Sequence, residues 1–331
     1  MIISRTPFRI SLFGGGTDYP SWFREHGGSV IGTTIDKYCY ISVRHLPPFF
    51  EHKSRIVYSQ VELVQDFSEI KHPAVKGILN EMKIAEGIEI HHDADLPARS
   101  GLGSSSSFTV GLLNALYALD SKMVSKRDLG REAIRIEQDV LKENVGSQDQ
   151  VWAAYGGFNR IDFFPDGNFT VTPFILPPAR RQELAKSVML FFTGFSRFAS
   201  DFAQEQIKNM NSRKAQLRTI RSMVDSAVDI LQDPNAPVRE LGELLHESWR
   251  LKRELADSVS NAQIDEIYEA GRAAGAIGGK LLGAGGGGFM VFLVEPEKRE
   301  QVRDRLSKLI HVSVGMDNDG SKIVLYQPDG L

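Results

Sequence analysis

Arg99-Ser100-Gly101-Leu102-Gly103-Ser104-Ser105-Ser106-Ser107 is the stretch on which the reading of this chain turns. It holds two glycines and five serines, and behind it Val110, Leu113, Leu116 and Tyr117 recur at helical spacing. The segment therefore reads as a small-residue loop opening into a helix. Where side chains are small, backbone N–H groups can approach a polyphosphate, and the helix N-terminus behind them adds partial positive charge. The serine hydroxyls can donate to phosphate oxygens or ligate a magnesium ion bridging them. A flexible turn with a serine cap is the plainer alternative.

Working outward, Gly283-Ala284-Gly285-Gly286-Gly287-Gly288 satisfies the spacing G-x-G-x-x-G. A dinucleotide fingerprint needs a helix after it, and Phe289-Met290-Val291-Phe292-Leu293 reads as a strand, so a nicotinamide cofactor is rejected. Gly275-Ala276-Ile277-Gly278-Gly279-Lys280-Leu281 fails as a Walker A loop, because the spacing is short and a leucine stands where the metal-binding Ser or Thr belongs. Gly14-Gly15-Gly16-Thr17-Asp18 follows a partly alternating run, Ile2 to Leu12, which reads as an edge strand because Pro7 lies inside it.

The remaining pattern is mixed. Strands are predicted at Val30 to Val43, Arg55 to Val61 and Ile88 to His92, with a helix at Ala74 to Glu86. Ser125 caps a helix running to about Glu143, and Asn144-Val145-Gly146 breaks it just before Asp149, which falls near the next helix start. Gly156-Gly157 and Pro165-Asp166-Gly167 punctuate a hairpin, and Pro177-Pro178 marks the crossing between a first domain, 1–178, and a second, 179–331. Beyond Val188 to Phe192, a strand, the chain is mainly helical from Asp201 to Ala274. Leu217, Ile220, Val224, Ala227, Val228 and Leu231 form one apolar face there. Strands at Phe289 to Val294 and Ile323 to Tyr326 flank a last helix.

With 331 residues, 42% of them hydrophobic and 24% charged, two packed domains and a cleft between them are available. A net charge of −3 lacks the positive field that nucleic acid or an anionic membrane would need. The single cysteine, Cys39, lies in an apolar alternating run and reads as a buried, inert thiol in a reducing compartment. The N-terminus lacks a long apolar segment and Val188 to Phe192 is too short to span a bilayer, so a cytoplasmic protein is expected.

Three segments in order, Arg5-Thr6-Pro7-Phe8-Arg9-Ile10-Ser11-Leu12-Phe13-Gly14-Gly15-Gly16-Thr17-Asp18, Pro97 to Ser107, and Leu281 to Gly288, resemble the three motifs of the galactokinase/homoserine kinase/mevalonate kinase (GHMP) family. The first looks most like the D-glycero-D-manno-heptose 7-phosphate kinase branch. The resemblance implies an α+β fold of two domains: a mixed-sheet N-terminal domain with a left-handed βαβ crossover, and a ferredoxin-like C-terminal domain with extra helices. It implies ATP and Mg2+, with the phosphates over Gly101, Leu102, Gly103, Ser104, Ser105 and Ser106, and Gly285 and Gly286 opposite. Ser105 and Glu137 match the family's metal ligands, Asp149 matches the acidic residue facing the acceptor hydroxyl, and Arg9 matches the basic residue beside it. Gly15, Gly16, Thr17 and Asp18 match the acceptor-binding turn.

Galactokinases resemble this turn but carry a Glu-His pair where this chain has Gly15 and Gly16. That loss removes a negative charge and suits a phosphorylated sugar. The resemblance thus implies phosphorylation of the anomeric (C1) hydroxyl of D-glycero-D-manno-heptose 7-phosphate, giving the 1,7-bisphosphate. A fucose or galactose kinase of the same fold, or a non-catalytic sugar sensor, stays open. Lys37, Arg99 and the group Arg213, Lys214, Arg218 and Arg221 are available to hold the acceptor phosphate, and none is assigned.

Overall fold

The computed structural model describes residues 1–84, 87–194 and 199–328. In chain order its strands are β1 (Ile2–Phe13), β2 (Gly28–His45), β3 (Ser54–Val57), β4 (Val61–Val64), β5 (Ile88–Ala94), β6 (Phe158–Phe163), β7 (Phe169–Pro173), β8 (Val188–Phe192), β9 (Ala276–Leu281), β10 (Phe289–Val294), β11 (Ile310–Val312), β12 (Met316–Asp317) and β13 (Lys322–Tyr326). The first sheet runs β13-β1-β2-β5-β3-β4, with β6 and β12 also on β2 and β7 on β6. Its β3–β5 pairing is parallel while its other pairings are antiparallel, so the sheet is mixed.

Strand β1 is not the edge strand its proline suggested: it pairs with β2 on one side and β13 on the other. The β13 pairing spans only Ile2 to Arg5, so Pro7, opposite Tyr38 of β2, owes β13 no N–H. Its carbonyl instead accepts the Ser107 hydroxyl at 2.9 Å, tying β1 to the helix Ser104–Leu119. That helix buries Phe108, Val110, Leu112, Leu113, Ala115 and Leu116. Each of the phenylalanine, valine and leucine side chains among them contributes roughly 1.5–3 kcal/mol when fully buried.

The second sheet has the order β11-β8-β10-β9, antiparallel throughout. With four helices (Ala199–Asn209, Lys214–Gln232, Val238–Arg253, Ala262–Ala273) between β8 and β9, and Arg299–Arg305 between β10 and β11, it is a ferredoxin-like unit with added helices. The expected apolar face of Lys214–Gln232 is buried at Leu217, Ile220, Val224, Ala227 and Leu231. The chain crosses between sheets from β7 to β8, and β12 and β13 then return to the first sheet, so the segment 179–331 contributes to both.

Other elements differ from their sequence pattern. Arg55 to Val61 becomes two short antiparallel strands, β3 and β4, around a turn at Tyr58 to Gln60. The helix expected over Ala74 to Glu86 is Pro73–Glu81, and residues 85 and 86 lie outside the described residues. Ser125 caps Lys126–Arg135, accepting the Asp128 N–H, but the helix then widens into a π turn, Ile136–Val140. Strand β9 was obscured by Gly278 and Gly279, residues that weaken strand propensity. A Cβ on Gly278 would stand 1.9 Å from the Gly242 carbonyl, so the glycine is what lets β9 lie directly on the Val238–Arg253 helix. Among the described residues no helix is long and apolar enough to cross a membrane.

Candidate active site

The second half of β1 and the start of the Gln148–Tyr155 helix meet at one ion pair. Arg9 donates from Nε to Asp149 Oδ1 at 2.8 Å and from Nη2 to Oδ2 at 2.6 Å, a bidentate fork. Its third nitrogen, Nη1, donates to the Gly101 carbonyl at 2.5 Å, and its backbone N–H donates to Leu102 O at 3.1 Å. Arg9 is buried, whereas the Asp149 side chain keeps 24% exposure, so the carboxylate is the part of the pair that reaches solvent. The serine-glycine loop lies directly over both. A Cβ on Gly103, whose φ is +76°, would stand 3.3 Å from Arg9 Cγ and 3.4 Å from Asp149 Oδ2.

The Gly14–Asp18 turn borders the same place. Asp18 is buried, accepts the Gly16 N–H and the Gln148 Nε2–H group at 2.9 Å each, and is pushed above the ordinary carboxylate range by burial and then by the charge of Asp149. Gln148 links the turn to the pair through its neighbour Asp149 and accepts the Ser11 hydroxyl at 2.7 Å. Gly15 is open: the nearest atoms to a Cβ there would be Gln148 Nε2 and Ser11 Oγ at 3.9 Å and Lys280 Nζ at 4.0 Å. Gly16 is covered by Leu217 and Leu255. Thr17 does not face the cleft. It is fully buried, its hydroxyl 2.8 Å from Gly14 O and 3.0 Å from Ser29 O, so it fastens the turn to β2.

The third glycine loop meets the first, though not through the expected residues. A Cβ on Gly283 would stand 2.7 Å from Gly101 Cα, one on Gly288 would stand 2.2 Å from Ser100 O, and the Phe289 N–H donates to Ser100 O at 3.0 Å. Gly285 and Gly286 pack instead against Val259 and Phe202 of their own unit. The loop's two ends, Gly283 and Gly288, are the glycines that meet the serine-glycine loop.

Two halves of one family match in the same order as the loops: the GHMP kinases N terminal domain over residues 69–157, and the GHMP kinases C terminal domain over residues 235–311. The chain belongs to the GHMP kinase family. It is 29% identical over 93% of its length to a D-glycero-alpha-D-manno-heptose 7-phosphate kinase of Campylobacter jejuni, 93% of which is covered. It is 25% identical over 91% of its length to the mevalonate kinase of Pyrococcus abyssi, with 90% of that chain covered. A solved structure described as a D-glycero-D-manno-heptose 1-phosphate kinase from Bacteroides thetaiotaomicron superposes with a TM-score of 0.80 at 25% identity, covering 97% of this chain and 98% of that one. As a GHMP kinase the chain is an ATP-dependent kinase.

In this GHMP kinase the serine hydrogen-bonded to Glu137 is not the matched Ser105 but its neighbour. Ser105 is exposed, and it is Ser106 whose hydroxyl donates to Glu137 Oε2 at 2.9 Å. Successive helical residues point about 100° apart, so only one of the two serines can face that carboxylate. The π turn Ile136–Val140 carries Glu137 inward, where Gln150 Nε2 also donates to it. Its other oxygen, Oε1, is buried and makes no hydrogen bond of normal geometry among the described residues, with the equally unpaired Thr109 hydroxyl beside it. Burial, then the nearby charge of Glu143, raises the carboxyl to about 8. An orphaned, buried carboxylate oxygen is the kind of ligand a hard divalent cation takes.

Two lysines that sequence reasoning did not single out for the site also lie in the GHMP cleft. Lys252, in the last turn of Val238–Arg253, donates to Gly283 O at 2.5 Å, and Lys280, in β9, donates to Leu12 O at 3.1 Å. Both are buried. Burial and the Arg9 charge lower Lys252 to about 8. Burial, followed by the charges of Lys252 and Arg9, takes Lys280 well below the ordinary lysine range. Lys252 reads in sequence as one of three cations closing a helix, and Lys280 stood in the stretch dismissed as a failed Walker loop. The one available signal was a lysine set among apolar and small residues immediately ahead of the third glycine loop.

Proposed function

We propose that this kinase transfers the γ-phosphoryl group of ATP to the anomeric hydroxyl of D-glycero-D-manno-heptose 7-phosphate, giving the 1,7-bisphosphate and ADP. The observation that carries the reading is the bidentate Arg9–Asp149 pair beneath the serine-glycine loop. The loop residues Gly101 to Ser106 hold the nucleotide phosphates with backbone N–H groups and the helix N-terminus. Gly283 and Gly288 back the loop from the second unit.

The acceptor hydroxyl sits against the exposed edge of Asp149. Its oxygen attacks the γ-phosphorus in line, the bond to the β,γ-bridging oxygen breaks, and the hydroxyl proton passes to the carboxylate. Because phosphoryl transition states are loose, Asp149 acts by aiming the hydroxyl as much as by taking its proton. Arg9 keeps both Asp149 oxygens in place and offsets charge on the transferring group. Glu137 and Ser106 are the residues on which Mg2+ would be held, with Ser105 one position nearer solvent. When bound, the ion neutralises charge on the nucleotide phosphates.

The acceptor assignment is supported by the Campylobacter relative and by the open face at Gly15, which leaves room for a bulky sugar bordered by Ser11, Gln148 and Lys280. Asp18 is the residue of that turn with a buried carboxylate near the acceptor. A cytoplasmic setting supplies ATP and sugar phosphates and suits Cys39, whose thiol burial holds protonated and out of reach.

The test is incubation with Mg-ATP and a panel of D-glycero-D-manno-heptose 7-phosphate, free mannoheptose, galactose, fucose and mevalonate, following ADP release and product mass. Turnover of the heptose 7-phosphate alone, with a bisphosphate product, is expected. Turnover of an unphosphorylated sugar in its place would overturn the acceptor while leaving the kinase.

A further inference from the structure

We propose that Lys252 and Lys280 together form the seat of the phosphoryl group in transit, a cationic wall supplied by the second unit opposite the Arg9–Asp149 pair of the first. The inference rests on the kinase activity and not on which sugar accepts the phosphate.

The charges in the cleft do not balance. Arg9, Lys252 and Lys280 are three cations, and Asp18 and Asp149 are the carboxylates that interact with them. Asp149 is committed to Arg9 through both oxygens, and Asp18 accepts from Gly16 N–H and Gln148. Among the described residues neither lysine makes an ion pair. Each ammonium has three donors and spends one, on a backbone carbonyl. A buried cation with unfilled donors is costly in the free protein, and an anion placed between the two removes that cost.

Their positions identify the anion. Lys252 is bonded to Gly283, whose backbone packs on Gly101 of the nucleotide loop. Lys280 is bonded to Leu12 and stands beside the open face of Gly15 in the acceptor turn. The pair therefore spans from the donor side of the cleft to the acceptor side, past Asp149, which is the path the phosphoryl group takes. Rigid placement follows from the close contact of Gly242 with β9, since one lysine rides on that helix and the other on that strand. The lowered proton affinity of both lysines agrees with a site that awaits negative charge.

The experiment uses the full chain and its Lys252→Met and Lys280→Met variants. Calorimetry measures MgADP affinity with and without aluminium fluoride, which imitates the transferring group. Aluminium fluoride is expected to tighten MgADP binding to the wild type and to lose that effect in both variants, with MgADP affinity itself retained. Turnover with the acceptor the wild type uses should fall about 10²-fold in kcat, the scale for one preorganised donor, with acceptor KM little changed. The thermal midpoint should hold or rise, because an unpaired buried cation is gone. Equal tightening in all three proteins, or none in the wild type, overturns the proposal. So does a defect confined to KM for a phosphorylated acceptor, which would make the lysines the seat of the acceptor's own phosphate. The calorimetric arm contains no sugar, so a wrong acceptor assignment leaves it intact.

Discussion

Ser106, not Ser105, is the serine that meets Glu137, at 2.9 Å across a fully buried contact. Ser106→Ala and Glu137→Gln should therefore each raise the magnesium concentration needed for half-maximal turnover, while Ser105→Ala changes it less. A magnesium titration of the three variants checks this, and the reverse ranking would return the ligand role to Ser105.

The same carboxylate gives metal-free stability a pH dependence. Glu137 stays protonated in the folded protein up to about 8, whereas its ordinary value is 4.5. Between those values the folded state holds a proton that the unfolded state releases, so this contribution is present at low pH and is lost as pH rises. Urea unfolding in the presence of a chelator should show the wild type losing stability relative to Glu137→Gln from about pH 5 to about pH 8. Parallel pH profiles for the two proteins would rule out the buried, protonated glutamate.

Removing the charge of Asp149 while keeping its shape separates chemistry from nucleotide binding. Asp149→Asn should retain MgADP affinity and lose about 10²-fold or more in turnover, the scale of a positioned acid/base group. Near-normal turnover would take Asp149 out of the reaction.

Gly15 gives the substitution that most directly probes the acceptor side. Its backbone φ lies outside the left-handed region and the space where its Cβ would stand is open to 3.9 Å, so a side chain fits. Gly15→Glu would bring a carboxylate to Lys280. Thermal unfolding should show an unchanged or higher midpoint, while turnover of the phosphorylated acceptor drops at least about tenfold, since paired charge can no longer serve an incoming anion. A variant as active as the wild type would show that Lys280 is not needed there.

Several parts of this fold were legible in the residues themselves. The serine-glycine loop and its helix, the hairpin punctuated by Gly156-Gly157 and Pro165-Asp166-Gly167, the apolar face of Lys214–Gln232 and the strand after Gly288 follow from spacing and backbone preference, which are local properties. Strand β9 was hidden because Gly278 is dictated by the helix lying on it and not by the strand. The inner position of β1 was hidden because β13, which covers its other side, comes from the far end of the chain.

By itself the sequence determined that three small-residue loops fall in a fixed order around a mixed α and β core, and through its family resemblance it singled out Arg9 and Asp149. Only tertiary structure decided which atoms meet. Arg9 and Asp149 are 140 residues apart, and Lys280 and Leu12 are 268 apart. Whether a serine faces metal or solvent, whether Thr17 binds acceptor or fastens a turn, and whether a lysine is a surface charge or a buried, unpaired cation depends on what the rest of the chain places around it. Burial and net local charge belong to the packed assembly of distant segments, and no local period or motif encodes them.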